Sequence, residues 1–452
     1  MAVTQVRAIL LEPDDDVAAV LETIATHGTI AVTLSASGKT VCELAVCQDI
    51  PFGHKVAVRD IIKGKPVHRY GFPIGIATID IKQGEHVHSH NMRSMLSPGS
   101  KQSKSPTLRP AQWVHELVKS SLKAVGTSAE GAQAMADAIT EAHLRGVETH
   151  GLRRLRPYIA RIRSGGVDGN SRPRVTTRNA LISIDGRNGI GHHVATCAAK
   201  AASTAARQFG ISIVLVRNSN HFGFAGHYAT LIAASKQLGI VTSNGQVCVA
   251  PEGAKKPLLS NNPLAIAAPL RSPDRFLELD LATSMTSRAN IVEAAGSGAL
   301  LPPGWAQDAD GNPTRSPGAA LEGSLQAFGG RKGFALLVAL EALTGVLCGG
   351  AFADHVSSKE TALDAPEGTA HTMIAIDLEA ALRADAYSDR LEELVERLLA
   401  LPRNAAADAI RYPGERRWKL RSERLRAGIP LSDAELTDAV HLAKELGIAT
   451  SV

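Results

Sequence analysis

Several short segments of the chain carry residue types suited to chemistry. His150 lies next to Gly151 and is followed four residues later by Arg154. An imidazole titrates near neutral pH, and a guanidinium can bind a carboxylate through two parallel hydrogen bonds. This pair could therefore hold an organic acid and move a proton. An exposed turn with incidental charges would give the same pattern.

A second candidate lies in the polar segment 218–223, directly after an apolar run. Reactive groups are often presented on loops that a rigid scaffold holds in place. Asn220 could hydrogen-bond a substrate oxygen while His221 transfers a proton. A structural histidine is an equally open interpretation of this segment.

The glycine-rich segment Gly329–Gly333 precedes an apolar stretch and contains Lys332. Glycines before a helix leave backbone N–H groups free for an anion, and the lysine adds positive charge. The glycine spacing does not fit a Walker A loop. Gly186, Gly189 and Gly191 are also wrongly spaced for a Rossmann fingerprint. A nucleotide site in this chain therefore requires a different architecture.

Three histidines alternate along residues 84–91, at positions 86, 88 and 90. On a strand, this period of two would place all three on one face, where imidazoles can ligate zinc or iron. An ordinary polar sheet face gives the same pattern, and no CxxC or HExxH motif supports a metal. We therefore assign no metal site. A serine hydrolase is also not indicated, because the chain has no G-x-S-x-G motif.

The elements that must position these residues fall into two parts. Residues 97–106 are Ser, Pro, Gly, Lys and Gln, a composition typical of a flexible linker. The predicted division is a front domain at 1–96, a linker at 97–106 and a large domain at 107–452. The front domain reads as β-rich, with strands predicted at 29–34, 55–59 and 74–80.

The large domain alternates helical and strand patterns, which predicts a mixed α/β fold. The first predicted helix runs from the capping box Thr127–Glu130 to Gly146, with Met135, Ile139 and Ala142 on one face, and strands are predicted at 211–216 and 276–280. A second helix is predicted from Gly329–Gly333 towards Leu347. Near the C-terminus we predict an amphipathic helix with Leu391, Leu394, Val395 and Leu398, and a last helix from the capping box Ser432–Glu435 to Gly447.

Composition excludes several classes of protein. The chain has 452 residues, a formal net charge of +5 and only 4% aromatic residues, and its basic residues are scattered, so a nucleic-acid interface is not expected. Its five cysteines form no CxxC pair and fit reduced thiols in a cytoplasmic protein. The most apolar stretch, residues 334–347, contains Glu341 and is shorter than the roughly 18 residues of a spanning helix. No membrane passage and no signal peptide are expected.

Residues 107–450 resemble the type-2 malate/L-lactate dehydrogenase family, which also includes ureidoglycolate and sulfolactate dehydrogenases and piperideine-2-carboxylate reductases. The resemblance implies a non-Rossmann α/β fold, a homodimer, and hydride transfer between NAD or NADP and a 2-oxo or 2-hydroxy acid such as malate, lactate, sulfolactate or a sugar-acid-like compound. The matching segments, in chain order, are 144–151 with Arg154, 217–223, 261–265, 280–284, 301–306, 329–334 and 412–416.

The same resemblance suggests roles for single residues. His221 matches the proton-transfer histidine, His150 and Arg154 match the substrate-side pair, and Asn220 is their polar partner. The residues that match cofactor-contacting segments are Gly245, Asp280, Leu281, Ala282, Lys332, Gly414, Glu415 and Arg416. Two departures affect the pocket: Thr149 replaces the usual serine before the histidine, and Ser260 begins a Ser-Asn-Asn-Pro segment where Gly-Thr-Asn-Pro is commoner.

The front domain resembles the small β-clip (SAF-type) module of altronate and galactarate dehydratases and of the small sulfolactate sulfo-lyase subunit. The matching segments are 53–60, 71–75 and 84–91. The large catalytic domain of those lyases is missing here, so the module is expected to bind a hydroxy acid or to dock a separate lyase subunit. The alternative function is therefore a lyase-associated protein that supports a dehydratase or sulfo-lyase in trans.

Overall fold

The structure of the chain is a computed structural model that describes residues 6–10, 13–34, 39–69, 72–88, 90–94, 106–272, 274–358, 361–403 and 409–448. The chain divides into two compact units, Met1–Ser105 and Pro106–Val452. Each unit has its own hydrophobic clusters. The predicted linker at 97–106 lies outside the described residues except for Pro106.

The described part of the front unit is built from strands. They are β1 (Val6–Leu10), β2 (Val17–Val20), β3 (Thr29–Leu34), β4 (Thr40–Ala45), β5 (Lys55–Ala57), β6 (Pro66–Arg69), β7 (Phe72–Ala77), β8 (His86–Val87) and β9 (Met92–Ser94). Six of them form a sheet in the order β4-β3-β1-β2-β5-β8, and three form a sheet in the order β6-β7-β9. The predicted β-rich character of this unit is confirmed.

The strand pattern predicted around residues 84–91 forms only in part. Strand β8 ends at Val87, and the backbone then turns. The side chain of Asn91 causes this turn, because it accepts a hydrogen bond from His88 N at 3.0 Å and donates one to His86 O at 2.9 Å. His88 and His90 therefore lie on a turn rather than on a continued strand.

The large unit contains both element types. Its described strands are β10 (Thr107–Arg109), β11 (Arg174–Arg178), β12 (Leu181–Asp185), β13 (Ile211–Ser219), β14 (Gln237–Ser243), β15 (Leu264–Pro269), β16 (Phe276–Leu281), β17 (Ala306–Gln307), β18 (Pro313–Thr314), β19 (Ser324–Leu325), β20 (Thr369–Asp377) and β21 (Ile429–Leu431). Its described helices are α1 (Ala111–Ala124), α2 (Ala129–Leu144), α3 (Leu155–Arg163), α4 (Gly191–Phe209), α5 (Ala225–Ala233), α6 (Arg288–Ser297), α7 (Pro317–Glu322), α8 (Arg331–Glu341), α9 (Leu378–Leu382), α10 (Ala384–Leu399), α11 (Glu415–Ala427) and α12 (Asp433–Glu445).

The main sheet of the large unit has seven strands in the order β11-β12-β13-β20-β14-β15-β16. Strands β12 and β13 are parallel, and the other neighbouring strands are antiparallel. Helices α4 and α5 pack on this sheet through small side chains, and Ala195, Ala198 and Ala202 of α4 are fully buried. Small residues allow the helix backbone to approach the sheet closely, so the sheet forms a rigid support.

Most of the helix predictions are confirmed, with two differences. The cap of α2 is Ser128 rather than Thr127, because the Ser128 hydroxyl accepts from Gly131 N. The capping box Ser432–Glu435 is present at the start of α12. The apolar helix after Gly333 is α8, which continues from Glu341 into a π turn, Ala342–Val346.

Glu341 at the end of α8 is buried and holds three surrounding segments. Its carboxylate accepts from Asn262 Nδ2 at 2.7 Å, from Ala353 N at 3.0 Å and from Asn244 Nδ2 at 3.3 Å. A buried carboxylate needs such donors, since an unpaired one would be costly. In the described part of the chain, no helix has the combination of length and apolarity that crossing a membrane requires.

Three buried histidines predict an acid-sensitive fold. Burial lowers the pKa of His192 and His371 to about 3 and that of His227 to about 4. In the unfolded chain these rings titrate near the ordinary value of 6.5, so below that pH the unfolded state binds more protons and stability is lost as pH falls. We expect the free energy of unfolding to fall by about 2 kcal/mol per ring between about pH 7.5 and about pH 5.

Urea unfolding at a series of pH values measures this effect. His371→Asn should remove one ring's share of the pH dependence. His441→Asn, on the exposed side of α12, should leave the dependence unchanged. Equal stability of the unmodified chain at the two pH values would contradict the prediction.

Candidate active site

A cleft in the large unit lies at one edge of the seven-stranded sheet and has a volume of about 310 Å³. Strands β13, β14 and β16 run in the same direction, because one antiparallel strand separates each from the next. Their carboxyl ends therefore all lie at this edge. The chain segments that follow these strands therefore meet there. The turn after α2 and the start of α6 complete the wall.

The structure brings together most of the sequence-predicted site residues. Those that line the cleft are His150, Arg154, His221, Gly245, Asp280, Leu281 and Ala282. Those that do not line it are Asn220, Lys332, Gly414, Glu415 and Arg416.

His221 lies in the loop after β13, and its ring is held from one side. Its Nδ1 is 2.6 Å from Tyr158 Oη on α3 and 3.4 Å from Gly223 N. Its backbone N–H donates to Glu367 Oε2 at 3.0 Å. Burial raises the pKa of Tyr158, so its hydroxyl stays protonated. These contacts fix the orientation of the imidazole.

Asn220 supports this loop from behind and does not face the cleft. The residue is buried, and its Nδ2 donates to Asn188 Oδ1 and Gly189 O, both at 2.9 Å. Its Oδ1 accepts from Arg161 Nη2 at 3.3 Å and from Glu367 N at 3.4 Å. Both ends of the amide are thus bonded to protein, which points to a positioning role rather than a substrate contact.

Arg161 and Glu367 form a buried ion pair beneath the same loop. Arg161 Nε lies 3.5 Å from Glu367 Oε1, and both side chains are almost completely buried. The guanidinium also donates to three backbone carbonyls, those of Ala362, Gly166 and Ala365. Glu367 in turn holds the backbone of His221, so the ion pair is coupled directly to the loop.

His150 and Arg154 lie on two consecutive 3₁₀ turns, Glu148–His150 and Leu152–Arg154. The His150 and His221 rings are stacked, with centroids 5.7 Å apart and planes at 6°. Arg154 Nε donates to Thr149 O at 3.0 Å, and its terminal amino groups have no hydrogen-bond partner among the described residues. The forked end of this guanidinium is therefore available to a ligand in the cleft.

The two departures from the family pattern both contact neighbours of the site. Thr149 Oγ1 lies 3.0 Å from His150 Nδ1, so the threonine hydroxyl can hydrogen-bond the ring as a serine hydroxyl would. Ser260 Oγ donates to Asn261 Oδ1 at 3.3 Å. A Cβ added to Gly245 would lie 3.0 Å from Ser260 Oγ, so the serine and this glycine are in close contact.

The opposite wall of the cleft contains an acidic residue that an arginine holds in place. Arg417 Nη1 donates to Asp280 Oδ2 at 2.8 Å and to Glu278 Oε1 at 3.1 Å, and Nη2 donates to Asp280 O at 3.2 Å. Arg417 lines the cleft, whereas the predicted Arg416 is exposed and does not line it.

A buried cluster of charges continues from this wall into the protein. Arg145 lies between Glu141, at 3.0 Å, and Glu278, at 3.3 Å, and its guanidinium lies 4.4 Å from the centre of the Trp418 ring. Burial raises the pKa of Glu278, although Arg145 and Arg417 oppose this effect. Burial also raises the pKa of Glu141, but Arg421 and Arg145 outweigh it and bring the pKa to about 2.

The remaining predicted cofactor residues lie near this cluster or at the surface. Gly414 has a φ of +94°, and a Cβ there would lie 2.8 Å from Glu278 Cβ, so the close approach of this turn to β16 requires glycine. Lys332 is exposed in the first turn of α8.

Sequence reasoning missed four residues that shape the site, namely Tyr158, Arg161, Glu367 and Arg417. Arg417 directly follows the predicted cofactor segment 412–416, so its position next to that segment could have indicated it. The other three carry no local pattern that would indicate the site.

Comparisons with known proteins agree with this architecture. Residues 110–439 match the family described as malate/L-lactate dehydrogenase, and residues 6–95 match the SAF domain of altronate/galactarate dehydratase. The malate dehydrogenase of Pyrococcus abyssi is 32% identical over 348 residues, which are 75% of this chain and 95% of that protein. The L-sulfolactate dehydrogenase of Methanothermobacter thermautotrophicus is 34% identical over 339 residues, which are 74% of this chain and 95% of that protein.

A solved structure shows the same fold. The Δ1-piperideine-2-carboxylate reductase of Pseudomonas syringae pvar. tomato superposes with a TM-score of 0.68 at 31% identity, and the match covers 75% of this chain and 100% of that one. The predicted fold class and both predicted resemblances are confirmed. Over its large unit, the chain belongs to the malate/L-lactate dehydrogenase family.

Proposed function

We propose that the chain interconverts a 2-hydroxy acid and its 2-oxo acid by hydride transfer with NAD or NADP, with malate, lactate, sulfolactate and similar acids as the substrate class. Membership of a family of dehydrogenases supports the reaction type. The observation that carries the proposal is the convergence of His150, Arg154 and His221 on the cleft that Gly245 and Asp280 also line. One side of the cleft then offers a proton carrier and a carboxylate clamp.

His221 is the proposed proton carrier. As hydride reaches the carbonyl carbon, negative charge develops on the substrate oxygen, and a protonated His221 donates its Nε2 proton there. In this protonated ring Nδ1–H donates to Tyr158 Oη, 2.6 Å away, in place of the hydrogen bond that Nδ1 accepts from Gly223 N at 3.4 Å. The ring is then left as a neutral imidazole rather than an imidazolate. In the oxidising direction the same neutral ring takes the proton of the substrate hydroxyl on Nε2.

Arg154 and His150 are the proposed substrate-side pair. The terminal amino groups of Arg154 can bind the C1 carboxylate in a two-pronged manner, which fixes the direction of the C2 carbonyl. His150 lies parallel to His221 and is oriented by Thr149. A fixed carboxylate and a fixed proton donor hold C2 in one orientation, which lowers the entropic part of the barrier.

Features of the cleft support the binding of a nicotinamide nucleotide beside these groups. Gly245 leaves its part of the wall without a side chain, and residues 287–289 bring the start of α6, with Arg288, to the cleft. Backbone N–H groups at a helix start and an arginine both suit phosphate. Such a cofactor supplies or accepts the hydride when bound. Lys332, Gly414, Glu415 and Arg416 remain proposed cofactor contacts on the resemblance alone.

A cyclic imine substrate and a lyase-associated role are the two alternatives to this function, and they differ in their support. The name of the piperideine-2-carboxylate reductase supports a cyclic imine carboxylate as an alternative substrate, since an imine carbon accepts hydride as a carbonyl carbon does. The lyase-associated alternative has weaker support, because the family match covers most of the chain and is to a dehydrogenase.

We also propose that the chain is a homodimer, on the basis of one exposed apolar surface. From Ala335 to Leu347, every exposed side chain on α8 and its π turn is apolar, and Val338, Leu343, Val346 and Leu347 are 41–57% exposed. We call this surface the α8 face. A contiguous apolar patch of this kind is typical of a subunit interface.

His221→Ala should lower kcat by about 10²–10⁴-fold, because the proton donor to the forming alkoxide is lost. The measurement is oxidation of the reduced cofactor with a panel of 2-oxo acids and one cyclic imine, run with both NADH and NADPH. His441→Ala on the exposed side of α12 is the control and should keep full activity. Full activity of His221→Ala on the best substrate would refute the assigned role.

Arg154→Gln should raise KM for the acid by about 10–100-fold, because a charge-assisted two-pronged hydrogen bond is worth about 1.5–3 kcal/mol. KM for the cofactor should change little. Arg153→Gln is a matched control, since the adjacent Arg153 is exposed and lies outside the cleft. Equal effects of the two substitutions would contradict the proposed clamp.

Val346→Asp should shift the chain from dimer to monomer in sedimentation velocity, because it places a charge in the centre of the α8 face. Val175→Asp on the exposed edge strand β11 has similar exposure and should leave the oligomeric state unchanged. A monomeric unmodified chain would rule out the proposed homodimer.

A further inference from the structure

His143 is a buried titratable residue that contacts the substrate side of the candidate active site from behind. It lies in the last turn of α2 and is completely buried. Its Nε2 accepts a hydrogen bond from the backbone N of Leu152 at 2.9 Å. Leu152 lies midway between His150 and Arg154, in the segment 148–154 that we call the substrate turn. The ring of His143 therefore holds the middle of this turn.

The same ring packs directly against Gly151. A Cβ at this position would lie 2.4 Å from His143 Nε2 and 2.8 Å from its Cδ2, which is closer than real Cβ atoms come to other heavy atoms. A side chain at residue 151 would therefore push the ring away from the N–H of Leu152. The glycine that follows His150 in the sequence thus has a physical reason, since it gives the ring of His143 access to the backbone of the turn.

The hydrogen bond to Leu152 N requires a neutral ring whose proton is on Nδ1. Burial lowers the pKa of His143, and the charge of Arg424 acts in the same direction, whereas Glu435 and Glu148 oppose the shift. The lowered pKa favours the neutral form, in which Nε2 is free to accept.

A second contact holds the start of the substrate turn. Arg424 on α11 donates through Nη1 to the backbone carbonyl of His143 and to Glu148 Oε1, the latter at 2.7 Å. Glu148 is the first residue of the first 3₁₀ turn. The end of α2 is therefore joined to the start of the turn by Arg424 and to its middle by the His143 ring.

We propose that His143 is a positioning residue that sets the place of His150 and Arg154 by holding the backbone N–H of Leu152. It thereby controls the affinity for the carboxylate of the acid, an inference that rests on the proposed function because Arg154 is the carboxylate clamp there. Without the acceptor, a buried N–H would be left unpaired, and the turn would shift to find another partner. Such a shift misplaces both groups at once, since each lies two residues from Leu152.

Steady-state kinetics of the full-length chain test this role. His143→Leu removes the acceptor and should raise KM for the best 2-oxo acid by about tenfold, with KM for the reduced cofactor unchanged. His143→Gln should restore most of the affinity, because its amide oxygen can take the place of Nε2. His115→Leu is the control. The half-buried His115 contacts Asp137 of α2 outside the cleft, so this change should lower stability and leave both KM values unchanged.

Amide hydrogen exchange of peptides that cover residues 148–154 gives a second readout, which needs no activity. Exchange should be faster in His143→Leu and close to that of the unmodified chain in His143→Gln. An unchanged KM for the acid in His143→Leu would overturn the proposal, as would equal rises in KM for the acid and the cofactor, or no rescue by Gln.

Two further results have defined meanings. If His143→Leu loses the circular dichroism of the folded chain, Gly151→Ala tests the same contact, because its methyl displaces the ring from Leu152 N. It should also raise KM for the acid, and an unchanged value would overturn the proposal. If the unmodified chain reduces no acid or imine of the panel, the proposed function is refuted. Hydrogen exchange then still decides whether His143 holds the substrate turn.

Discussion

The buried guanidinium of Arg161 ties together the segments beneath the candidate active site. A buried arginine must satisfy its N–H donors, because the cost of removing an ion from water is several kcal/mol. Here, the terminal amino groups donate to the carbonyls of Gly166, Ala362 and Ala365 and to the amide oxygen of Asn220, and Nε faces the Glu367 carboxylate at an ion-pair distance of 3.5 Å. Segments distant in sequence are thus fixed around one charge, and the loop that carries His221 is fixed with them.

A second buried charge cluster does the same for the opposite wall. Glu278 of β16 is enclosed by Arg145 from the end of α2 and by Arg417 from α11, so helices at opposite ends of the large unit's sequence meet at one carboxylate. Trp418 covers Arg145 with its ring and contributes a cation–π contact. Asp280 is oriented as a by-product of this cluster, since the arginine that neutralises Glu278 also binds Asp280. The cleft therefore lies between two charge clusters that packing makes rigid.

The sequence predicted the site residues that are defined by local pattern. His150 with Arg154, and His221 after an apolar strand, each lie within a few residues of the signal that identifies them. Tyr158, Arg161 and Glu367 could not be found in this way, because each acts on a partner 59–146 residues away. Asn220 shows the limit of adjacency: it neighbours His221 but faces the opposite direction, where the buried Arg161 requires an acceptor. The fold shows the same division between local and long-range information. Hydrophobic periodicity predicted most strands and helices, whereas the order of strands in the sheet depends on contacts between segments distant in sequence.

Access to water separates the histidines of this chain into groups with different capacities. His192, His227 and His371 are buried and held neutral, so they serve as polar packing groups; His371, for example, bridges Ser243 and Ser219 at 2.8 Å each. His150 and His221 line the cleft, where Thr149 and Tyr158 hold the Nδ1 side of their rings. In the front unit, His88 and His90 are exposed, and the neighbouring His54 and His86 are half-buried. An imidazole that is sealed from water cannot exchange a proton or a ligand on a useful timescale, and one that is freely solvated has no defined geometry. The partly covered rings of His150 and His221, which line the cleft on a fixed backbone, are therefore the ones from which chemistry is expected.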